Sequence, residues 1–331
     1  MATAEPLLDV RDLRVSFRVF RGTLSVLDGV TLAVRPGERV GLIGETGCGK
    51  TTTLRAIMRI LPREARVGGG QVLFAGRDVL SMNAGDLSAF RRKGASLVFQ
   101  DPTAALNPVF TVGQLLDEVI KYSQGRAMPA KERRAVAAAA LRDVALPDPA
   151  RILNSYPFQL SGGMRQRVCI AMAIGVNREL ILADEPGTSL DVTIQDQILR
   201  LISDLVAKRN VAVVLVTHSL GVVRETTDRV YVMYAGSIVE SAPVKELFRA
   251  PLHPYTVALL ECIPKLSGER ISQGIPGSMP DYLHPPRGCR YQPRCPRAEE
   301  GCAAGRPPMR EVAPGHSVAC YRVAAQGGED R

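Results

Sequence analysis

Residues 39–51 read RVGLIGETGCGKT and carry the strongest structural signal in this chain. The apolar start is typical of a buried strand, and Gly44 to Thr51 match the pattern G-x-x-x-x-G-K-[ST] that binds nucleotide phosphates. Glycines let such a loop curl so that backbone N–H groups and the start of the next helix face the phosphates. The spacing of Gly44, Gly47 and Gly49 does not fit the G-x-G-x-x-G pattern of dinucleotide-binding folds. The sequence therefore predicts a phosphate-binding loop between a strand and a helix.

Side chains of this loop are candidates for binding ATP and its Mg²⁺ ion. We expect the Lys50 ammonium to neutralise the β- and γ-phosphates and the Thr51 hydroxyl to coordinate Mg²⁺. The predicted ATP contacts of the loop are Gly44, Thr46, Gly47, Cys48, Gly49, Lys50, Thr51 and Thr52.

A second strong signal is the sequence ELILADEP at residues 179–186. Its apolar run predicts a strand that ends at Asp184 and Glu185. Carboxylates at a strand end beside a phosphate loop suit Mg²⁺ binding and the activation of water. Asp-Glu after a strand is common and by itself would indicate only a capped strand end. The phosphate loop upstream is what makes a catalytic role the better interpretation.

The composition is that of a globular protein. The 331 residues are 46% hydrophobic and 23% charged with a formal net charge of +9, which excludes disordered, collagen-like and small disulfide-stabilised chains. The longest apolar runs, 135–141 and 211–216, are much shorter than the roughly 20 residues of a membrane span. The first residues lack the pattern of a secretory signal, so we predict a cytoplasmic protein with unpaired cysteines. Arginines are scattered rather than clustered, and no nucleic-acid partner is expected.

Hydrophobic periodicity predicts an alternating α/β body followed by a tail of different composition. Residues 7–43 favour strands and turns, and residues 179–226 alternate strand, helix, strand and helix as in a parallel sheet. Further along the chain, Pro, Gly, Arg and Cys replace the periodic pattern. A boundary is therefore expected near residue 250, which separates a nucleotide-binding domain (1–250) from an extension (251–331).

Further motifs accompany the two phosphate elements in a fixed order. Residues 98–102 read VFQDP, residues 160–167 read LSGGMRQR, residues 189–191 read SLD and residues 216–218 read VTH. Together the six elements resemble the P-loop, Q-loop, signature, catalytic strand, D-loop and switch histidine of the ATP-binding cassette (ABC) family. The resemblance covers residues from about 7 to 240. It implies an α/β P-loop NTPase fold with a RecA-like core, an antiparallel β subdomain and a helical subdomain at about 101–175.

The resemblance also implies roles for single residues. Glu185 is expected to be the general base, Gln100 to sense Mg²⁺ and the attacking water, and His218 to contact the γ-phosphate. Phe17, or Phe20 as the alternative, is expected to stack on adenine. The implied Mg²⁺ ligands are Thr51, Gln100 and Asp184, the implied signature contacts with ATP are Ser161, Gly162, Gly163 and Gln166, and the implied D-loop is Ser189, Leu190 and Asp191.

In this family two domains meet head to tail, and each ATP lies between one domain's phosphate loop and the other's signature loop. Ser161, Gly162 and Gly163 are expected to open a helix whose N-terminal dipole binds the γ-phosphate of the partner's ATP. Hydrolysis then needs a second ABC ATPase subunit. The resemblance favours a paralogue, and hence a heterodimer.

Finer matches narrow the resemblance to the ATPase subunits of oligopeptide, dipeptide and nickel importers. The matching stretches are LSGGMRQRVCIAMAI, DEPGTSLDVTIQDQIL and LHPYTVALL, the last at residues 252–260. The implied partners are two transmembrane permeases and an extracytoplasmic solute-binding protein, which places the chain at the cytoplasmic face of a membrane. The local candidates for permease contact are Asn107-Pro108 and residues 112–122, with packing inside the helical subdomain as the alternative.

Four cysteines of the tail follow the spacing Cys289-x5-Cys295-x6-Cys302-x17-Cys320. This is not a C-x2-C zinc pattern, yet four thiolates in a segment with little core suggest a metal that organises it. The segment resembles the C-terminal extension of the same importers, in which related members hold a [4Fe–4S] cluster, and such a cluster takes Cys₄ ligation. Zinc and free thiols stay open as alternatives. The other chemically notable residues are interpreted as small apolar side chains (Cys48, Cys169 and Cys262) or as a surface side chain (His316).

A soluble ABC ATPase of DNA repair or translation is the main alternative function. Repair members typically carry long coiled-coil insertions and translation members two cassettes, whereas this chain has a single phosphate loop. A non-hydrolysing regulatory cassette is disfavoured because the phosphate loop, Glu185 and His218 are intact. The sequence favours the ATPase subunit of an importer for peptides, with nickel or another small solute as alternative cargo.

Overall fold

A computed structural model describes residues 5–124, 128–176, 178–188, 190–263 and 274–323. The chain divides into two compact units, each of which is described by itself. The first unit contains the described residues within 1–6, 34–39 and 81–222, and the second contains those within 7–33, 40–80 and 223–331.

The secondary structure alternates strands and helices through most of the chain. The strands are β1 (Leu8–Val19), β2 (Gly22–Val34), β3 (Arg39–Ile43), β4 (Ala65–Phe74), β5 (Arg77–Asp78), β6 (Ala95–Val98), β7 (Leu180–Asp184), β8 (Ala212–Val216), β9 (Arg229–Tyr234), β10 (Ser237–Pro243), β11 (Arg310–Ala313) and β12 (His316–Val318). The helices are α1 (Lys50–Ile57), α2 (Ala84–Ala89), α3 (Pro102–Ala105), α4 (Val112–Gln124), α5 (Ala130–Asp143), α6 (Pro149–Asn154), α7 (Gly162–Ile174), α8 (Val192–Arg209), α9 (Leu220–Thr226), α10 (Val244–Arg249), α11 (Pro254–Glu261) and α12 (Gly301–Ala304). Within the described ranges, no helix combines the length and the apolar character that crossing a bilayer requires.

The first unit is built on parallel strands covered by helices. β6, β7 and β8 lie side by side, and every residue of β7 and β8 is buried, as expected of strands packed on both faces. α8 begins after Asp191, whose side chain accepts a hydrogen bond from the Ile194 N–H, and ends at Asn210 in the left-handed conformation. Its apolar residues, among them Ile198 and Leu199, join the core of this unit. The predicted alternation of strands and helices in this region is confirmed.

The second unit contains two groups of paired strands. One has the order β2-β1-β4-β5, and β4 pairs antiparallel with both β1 and β5. The other has the order β3-β9-β10-β12-β11, in which β3 and β9 are parallel and the remaining neighbours are antiparallel. The phosphate loop leaves the end of β3 and enters α1, as the sequence predicts.

The tail is more ordered than its composition predicts. α11 begins behind His253, and the hairpin of β11 and β12 pairs with β10 in a register that places Glu240 opposite Val318. The rings of Tyr255 and Tyr291 lie 4.6 and 5.0 Å from the ring of Tyr234, and all three side chains are buried. The sequence does not predict this hairpin, because strands of three and four residues are too short to show a period.

The prediction that His316 is a surface residue is wrong. Its side chain is buried, and Nε2 lies 2.7 Å from Oε1 of Glu240, which is itself fully buried. The Glu240 carboxylate also accepts hydrogen bonds from the backbone N–H groups of Leu252 and His253. Burial alone raises the pKa of Glu240, but these hydrogen bonds outweigh burial, and the net shift is downward. Glu240 thereby ties β12 and the start of α11 to β10.

Candidate functional site

The phosphate loop requires glycine at both of its ends. Gly44 and Gly49 have φ angles of 151° and 111°. A Cβ atom at Gly44 would lie 2.1 Å from the carbonyl oxygen of Met233, and one at Gly49 would lie 2.7 Å from Cδ2 of Leu27. The N-cap residue of α1 is Gly49, which has no side chain to cap the helix, so a phosphate can take that place.

Lys50 supplies a fixed positive charge inside this loop. Its side chain is buried, and Nζ donates hydrogen bonds to the carbonyl oxygens of Gly44 (2.8 Å) and Glu45 (3.1 Å). Of the other predicted ATP contacts, Thr46 and Gly47 are exposed, Thr51 and Thr52 are half-buried, and Cys48 is buried. The loop thus combines an ammonium group with the start of a helix, which is the chemistry that binds phosphate.

The cysteines of the body behave as small apolar residues, as predicted. Cys48 and Cys169 are both buried. Burial raises the pKa of Cys48, and it raises the pKa of Cys169 to about 12. A raised pKa favours the protonated thiol at neutral pH, which is the less reactive form.

The first unit brings together the three predicted catalytic side chains. Nε2 of His218 lies 2.7 Å from Oε1 of Glu185, and Nε2 of Gln100 donates to Oε2 of Glu185 at 3.2 Å. Glu185 has a positive φ of 46°, and its N–H donates to the carbonyl oxygen of Val216 on the neighbouring strand. The side chain of Asp184 is buried at the end of β7. A carboxylate held by two neighbours at the C-terminal end of a strand in a parallel sheet is oriented to act as a base.

The predicted signature residues open a helix, as expected. Ser161 is exposed and is the N-cap of α7, with its hydroxyl oxygen accepting a hydrogen bond from the Met164 N–H at 3.3 Å. A Cβ atom at Gly162 would lie 2.8 Å from Cδ2 of Leu190, so this glycine lets the D-loop approach the signature helix. Asp191 is the N-cap of α8. Ser189 lies outside the described residues.

Gln166 is the one predicted signature contact that the fold buries. Its side chain is fully buried, and within the described structure neither its amide nitrogen nor its amide oxygen has a hydrogen-bond partner. A buried amide without partners is costly. The predicted contact of Gln166 with ATP remains a prediction.

The two candidates for adenine stacking differ in exposure. Phe17 lies within β1 opposite Ala65 and is half-buried, whereas Phe20 follows the strand and is fully exposed. The stacking role of Phe17, with Phe20 as alternative, stays a prediction.

Comparison with known proteins identifies the family. A model described as ABC transporter matches residues 27–188, and a model described as oligopeptide/dipeptide transporter, C-terminal region, matches residues 239–302. The chain is 46% identical over 322 residues to a probable peptide ABC transporter ATP-binding protein of Sinorhizobium fredii, with 96% of each chain covered. The chain belongs to the ATP-binding subunits of peptide ABC importers.

Other relatives agree with this family. The chain is 40% identical to the oligopeptide transport ATP-binding protein OppD of Salmonella typhimurium, with 96% of this chain and 94% of the relative covered. A solved dimeric ATP-binding cassette, bound to ADP and phosphate after hydrolysis, is 28% identical with a TM-score of 0.64 and covers 72% of this chain and 98% of its own. This ATP-binding subunit is therefore an ATPase with the P-loop ABC fold, and a role in DNA repair or translation is not favoured.

Electrostatic interactions link the four tail cysteines of this ATP-binding subunit. Burial raises the pKa values of Cys289, Cys295 and Cys320. Neighbouring thiols raise them further, with Cys302 acting on all three. The Cys289 N–H also donates to the carbonyl oxygen of Cys302 at 2.8 Å. Among the described residues, no three Cys, His, Asp or Glu side chains are grouped closely enough to hold a single metal ion.

Three residues that contact the phosphate loop were not predicted. Tyr255, Tyr282 and Arg294 all come from the part of the ATP-binding subunit after residue 250. The stretch LHPYTVALL contains Tyr255, but the sequence analysis used it only to recognise a resemblance. Arg294 directly precedes Cys295, in a segment that the sequence indicated only as a metal site. No local pattern signals these contacts, because more than 200 positions separate each residue from the loop.

Proposed function

We propose that this chain hydrolyses ATP to power the import of peptides, together with two permeases, a second and paralogous ABC ATPase, and an extracytoplasmic solute-binding protein. Its place is the cytoplasmic face of the membrane, as a peripheral subunit. The observation that carries this proposal is the trio of Glu185, Gln100 and His218 in a chain whose similarity to peptide-transport ATP-binding proteins extends over 96% of its length.

ATP binding is assigned to the phosphate loop and hydrolysis to the trio. The loop N–H groups and the Lys50 ammonium hold the β- and γ-phosphates. Glu185 takes a proton from the attacking water while the water oxygen bonds to the γ-phosphorus and ADP leaves. Gln100 orients that water, and His218 donates a hydrogen bond to the γ-phosphate. Both side chains contact the Glu185 carboxylate in this structure. When ATP binds, His218 is expected to leave that carboxylate and to bind the γ-phosphate.

The residues assigned to Mg²⁺ fit the chemistry of that ion. Thr51, Gln100 and Asp184 supply hydroxyl, amide and carboxylate oxygens, which are the donors that Mg²⁺ prefers. The bound ion supplies positive charge that neutralises the β- and γ-phosphate oxygens. The buried position of Asp184 at the end of β7 fixes its carboxylate without a long flexible side chain.

The signature helix α7 is assigned to the ATP of the second ATPase subunit. Ser161 is exposed at its start, and the half-buried Gly162 and Gly163 keep the helix N-terminus free of side chains. The positive end of the helix dipole then meets the γ-phosphate, and ATP binding draws two subunits together.

Permease docking is assigned to a groove in the first unit. The groove has a volume of about 460 Å³ and is lined by apolar side chains that include Phe99, Leu106, Val119 and Tyr122. Phe99 and Tyr122 are 42% and 47% exposed, so the groove presents apolar surface to solvent. Residues 112–122 were proposed from the sequence as a permease contact, and α4 places part of that segment along this groove. The proposed occupant is a short cytoplasmic helix of a permease.

A [4Fe–4S] cluster is assigned to Cys289, Cys295, Cys302 and Cys320. The four thiols influence one another electrostatically but are not grouped as ligands of one ion. The resemblance of this segment to the extension of importers that hold a [4Fe–4S] cluster favours a cluster over zinc, because such a cluster takes Cys₄ ligation.

Analysis of metal and sulfide tests this assignment. Protein purified without oxygen should be brown and contain roughly four irons and four sulfides per chain. Cys295→Ser should lose the colour and most of the iron, whereas Cys262→Ser, outside the group of four, should keep both. Stoichiometric zinc without sulfide would overturn the cluster in favour of a single ion.

An affinity capture tests the proposed assembly. The tagged protein is extracted from native membranes in mild detergent, and its partners are identified by mass spectrometry. Recovery of two permeases, a second ABC ATPase and a solute-binding protein is expected, and the ligand of that binding protein identifies the cargo. Recovery of ribosomal or DNA-repair proteins alone would contradict the transport function.

A further inference from the structure

Three side chains of the extension hold the phosphate loop by hydrogen bonds. The Tyr255 hydroxyl accepts a hydrogen bond from the N–H of Glu45 at 2.8 Å, and the Tyr282 hydroxyl donates to the carbonyl oxygen of Gly47 at 2.8 Å. The Arg294 guanidinium binds the Glu45 carboxylate through two hydrogen bonds of 2.9 and 3.1 Å. The loop is thus fixed at its backbone and at its one acidic side chain.

The pair of Arg294 and Glu45 has the geometry of a strong, shielded ion pair. Its two parallel hydrogen bonds match the fork of a guanidinium to a carboxylate. The Arg294 side chain is 4% exposed and that of Glu45 is 29% exposed. Burial lowers the pKa of Arg294, but hydrogen bonds to Glu45 and Tyr234 more than offset this effect, and the guanidinium stays charged.

Arg294 is itself held in place by the extension. Its Nε donates to the carbonyl oxygen of Pro276 at 2.8 Å, and its Nη2 donates to that of Ile275 at 3.0 Å. Its guanidinium also lies 5.8 Å from the centre of the Tyr234 ring. Cys295 follows Arg294 directly, and its N–H closes the turn by donating to the carbonyl oxygen of Gln292. The ordering of the cysteine segment therefore sets where the guanidinium lies.

Glu45 places a negative charge in the phosphate loop, and Arg294 neutralises it. Glu45 directly follows Gly44 in the loop that binds the negatively charged phosphates. An unpaired carboxylate there repels phosphate and competes for Lys50, and this repulsion acts within a Debye length of about 10 Å at 0.1 M salt. A partner arginine cancels the charge and holds the carboxylate against the extension.

We infer that Arg294 is a positioning residue of the ATP site, which neutralises Glu45 and makes nucleotide affinity depend on the folded extension. This inference rests on the proposed role of the phosphate loop. It gives the extension a function in ATP binding by the same chain, in addition to any role of its cysteines. Tyr255 and Tyr282 support the same loop through its backbone.

Nucleotide binding by charge-neutralising variants tests the inference. The full chain is titrated with MgADP in a calorimeter, and Arg294→Gln is expected to raise the dissociation constant about tenfold. Because the defect comes from an exposed negative charge, Glu45→Gln should restore most of the affinity in the Arg294→Gln background while changing little by itself. The defect of Arg294→Gln should also shrink in about 0.5 M salt, where charges are screened.

Two controls separate this effect from a loss of folding or of the site itself. Arg322 pairs with Glu299 in the same extension and, within the described ranges, does not contact the loop, so Arg322→Gln should bind MgADP normally. Arg294→Lys keeps the positive charge but cannot form the two parallel hydrogen bonds of a guanidinium. Its dissociation constant for MgADP should therefore lie between those of the wild type and Arg294→Gln. If Lys50→Ala binds MgADP normally, the proposed phosphate site is wrong. If Lys50→Ala abolishes binding but Arg294→Gln does not weaken it, or Glu45→Gln does not rescue it, the inference is wrong.

Discussion

At the scale of single residues, Glu185 lies between two side chains that come from different strand ends. Gln100 follows β6 and His218 follows β8, and both reach the same carboxylate. The family resemblance predicted this trio, and each member follows a recognisable stretch of apolar sequence. Arg294 and Tyr282 could not be predicted, since their contacts with the phosphate loop depend on how a distant segment folds back.

Replacing Glu185 by Gln removes the proposed base and retains the shape of the side chain. ATP binding should stay intact, while phosphate release by the assembled complex should slow by on the order of 10²-fold or more. Asp196→Asn is the matched control, because Asp196 is a partly exposed carboxylate whose recorded partner is Arg200 on the same helix. Hydrolysis at the wild-type rate in the Glu185 variant would show that another group is the base.

The buried His253 predicts how stability depends on pH. Burial lowers its pKa from 6.5 to about 4, so the unfolded chain takes up a proton on acidification before the folded chain does. Stability is therefore lost as the pH falls from 6.5 towards 4, by about 2 kcal/mol between pH 7 and pH 5.

The matched variant for this prediction is His253→Asn. Asparagine can accept the hydrogen bond from the Tyr255 N–H that His253 accepts as the N-cap of α11, but it does not titrate. The free energy of unfolding, measured with urea at both pH values, should fall less in the variant. An equal fall in both proteins would show that other groups cause the pH dependence.

At the scale of elements, the sequence predicted the central strands and long helices well and the tail poorly. β7 and β8 are continuous apolar runs, and α8 has a recognisable cap at each end. The hairpin of β11 and β12 is short, and what stabilises it is the pairing with β10 and the buried contact of His316 with Glu240. Contacts of that kind depend on the tertiary fold and leave no period in the sequence.

The N-terminus of α7 carries a prediction of its own. Ser161→Ala removes the hydroxyl that caps this helix and that is assigned to the ATP of the partner subunit. Binding of nucleotide by the isolated chain should be unchanged, whereas hydrolysis by the assembled complex should fall roughly tenfold, because the Ser161 hydroxyl is assigned to an ATP across the interface.

A second cap serves as the control for Ser161→Ala. Asn83 caps α2 by accepting a hydrogen bond from the Asp86 N–H. Asn83→Ala removes this cap and should lower the free energy of unfolding by about 1 kcal/mol, as the loss of the Ser161 cap should. It should lower the thermal midpoint without a selective loss of hydrolysis. Equal losses of hydrolysis in the two variants would mean that α7 acts through stability alone.

At the scale of the whole molecule, one chain contains the parts of an ATPase, and the proposed function needs a second chain to complete each site. We propose the phosphate loop for ATP binding, the trio for hydrolysis, and Ser161 for contact with the ATP of the second subunit. The family resemblance predicts that some residues act on this chain's ATP and others on the partner's. The sequence of one chain does not identify the partner. The purified chain should therefore bind nucleotide alone but hydrolyse ATP appreciably only after assembly.

The most direct measurement is ATP-dependent uptake of a radiolabelled peptide into vesicles that contain the captured assembly. With ATP on the side of this subunit, we expect accumulation by the wild type and by Asp196→Asn, and loss of accumulation with Glu185→Gln at equal amounts of every subunit. Uptake that continues with Glu185→Gln, or an assembly that hydrolyses ATP without moving any peptide bound by its solute-binding protein, would contradict the proposal that ATP hydrolysis by this chain powers peptide import.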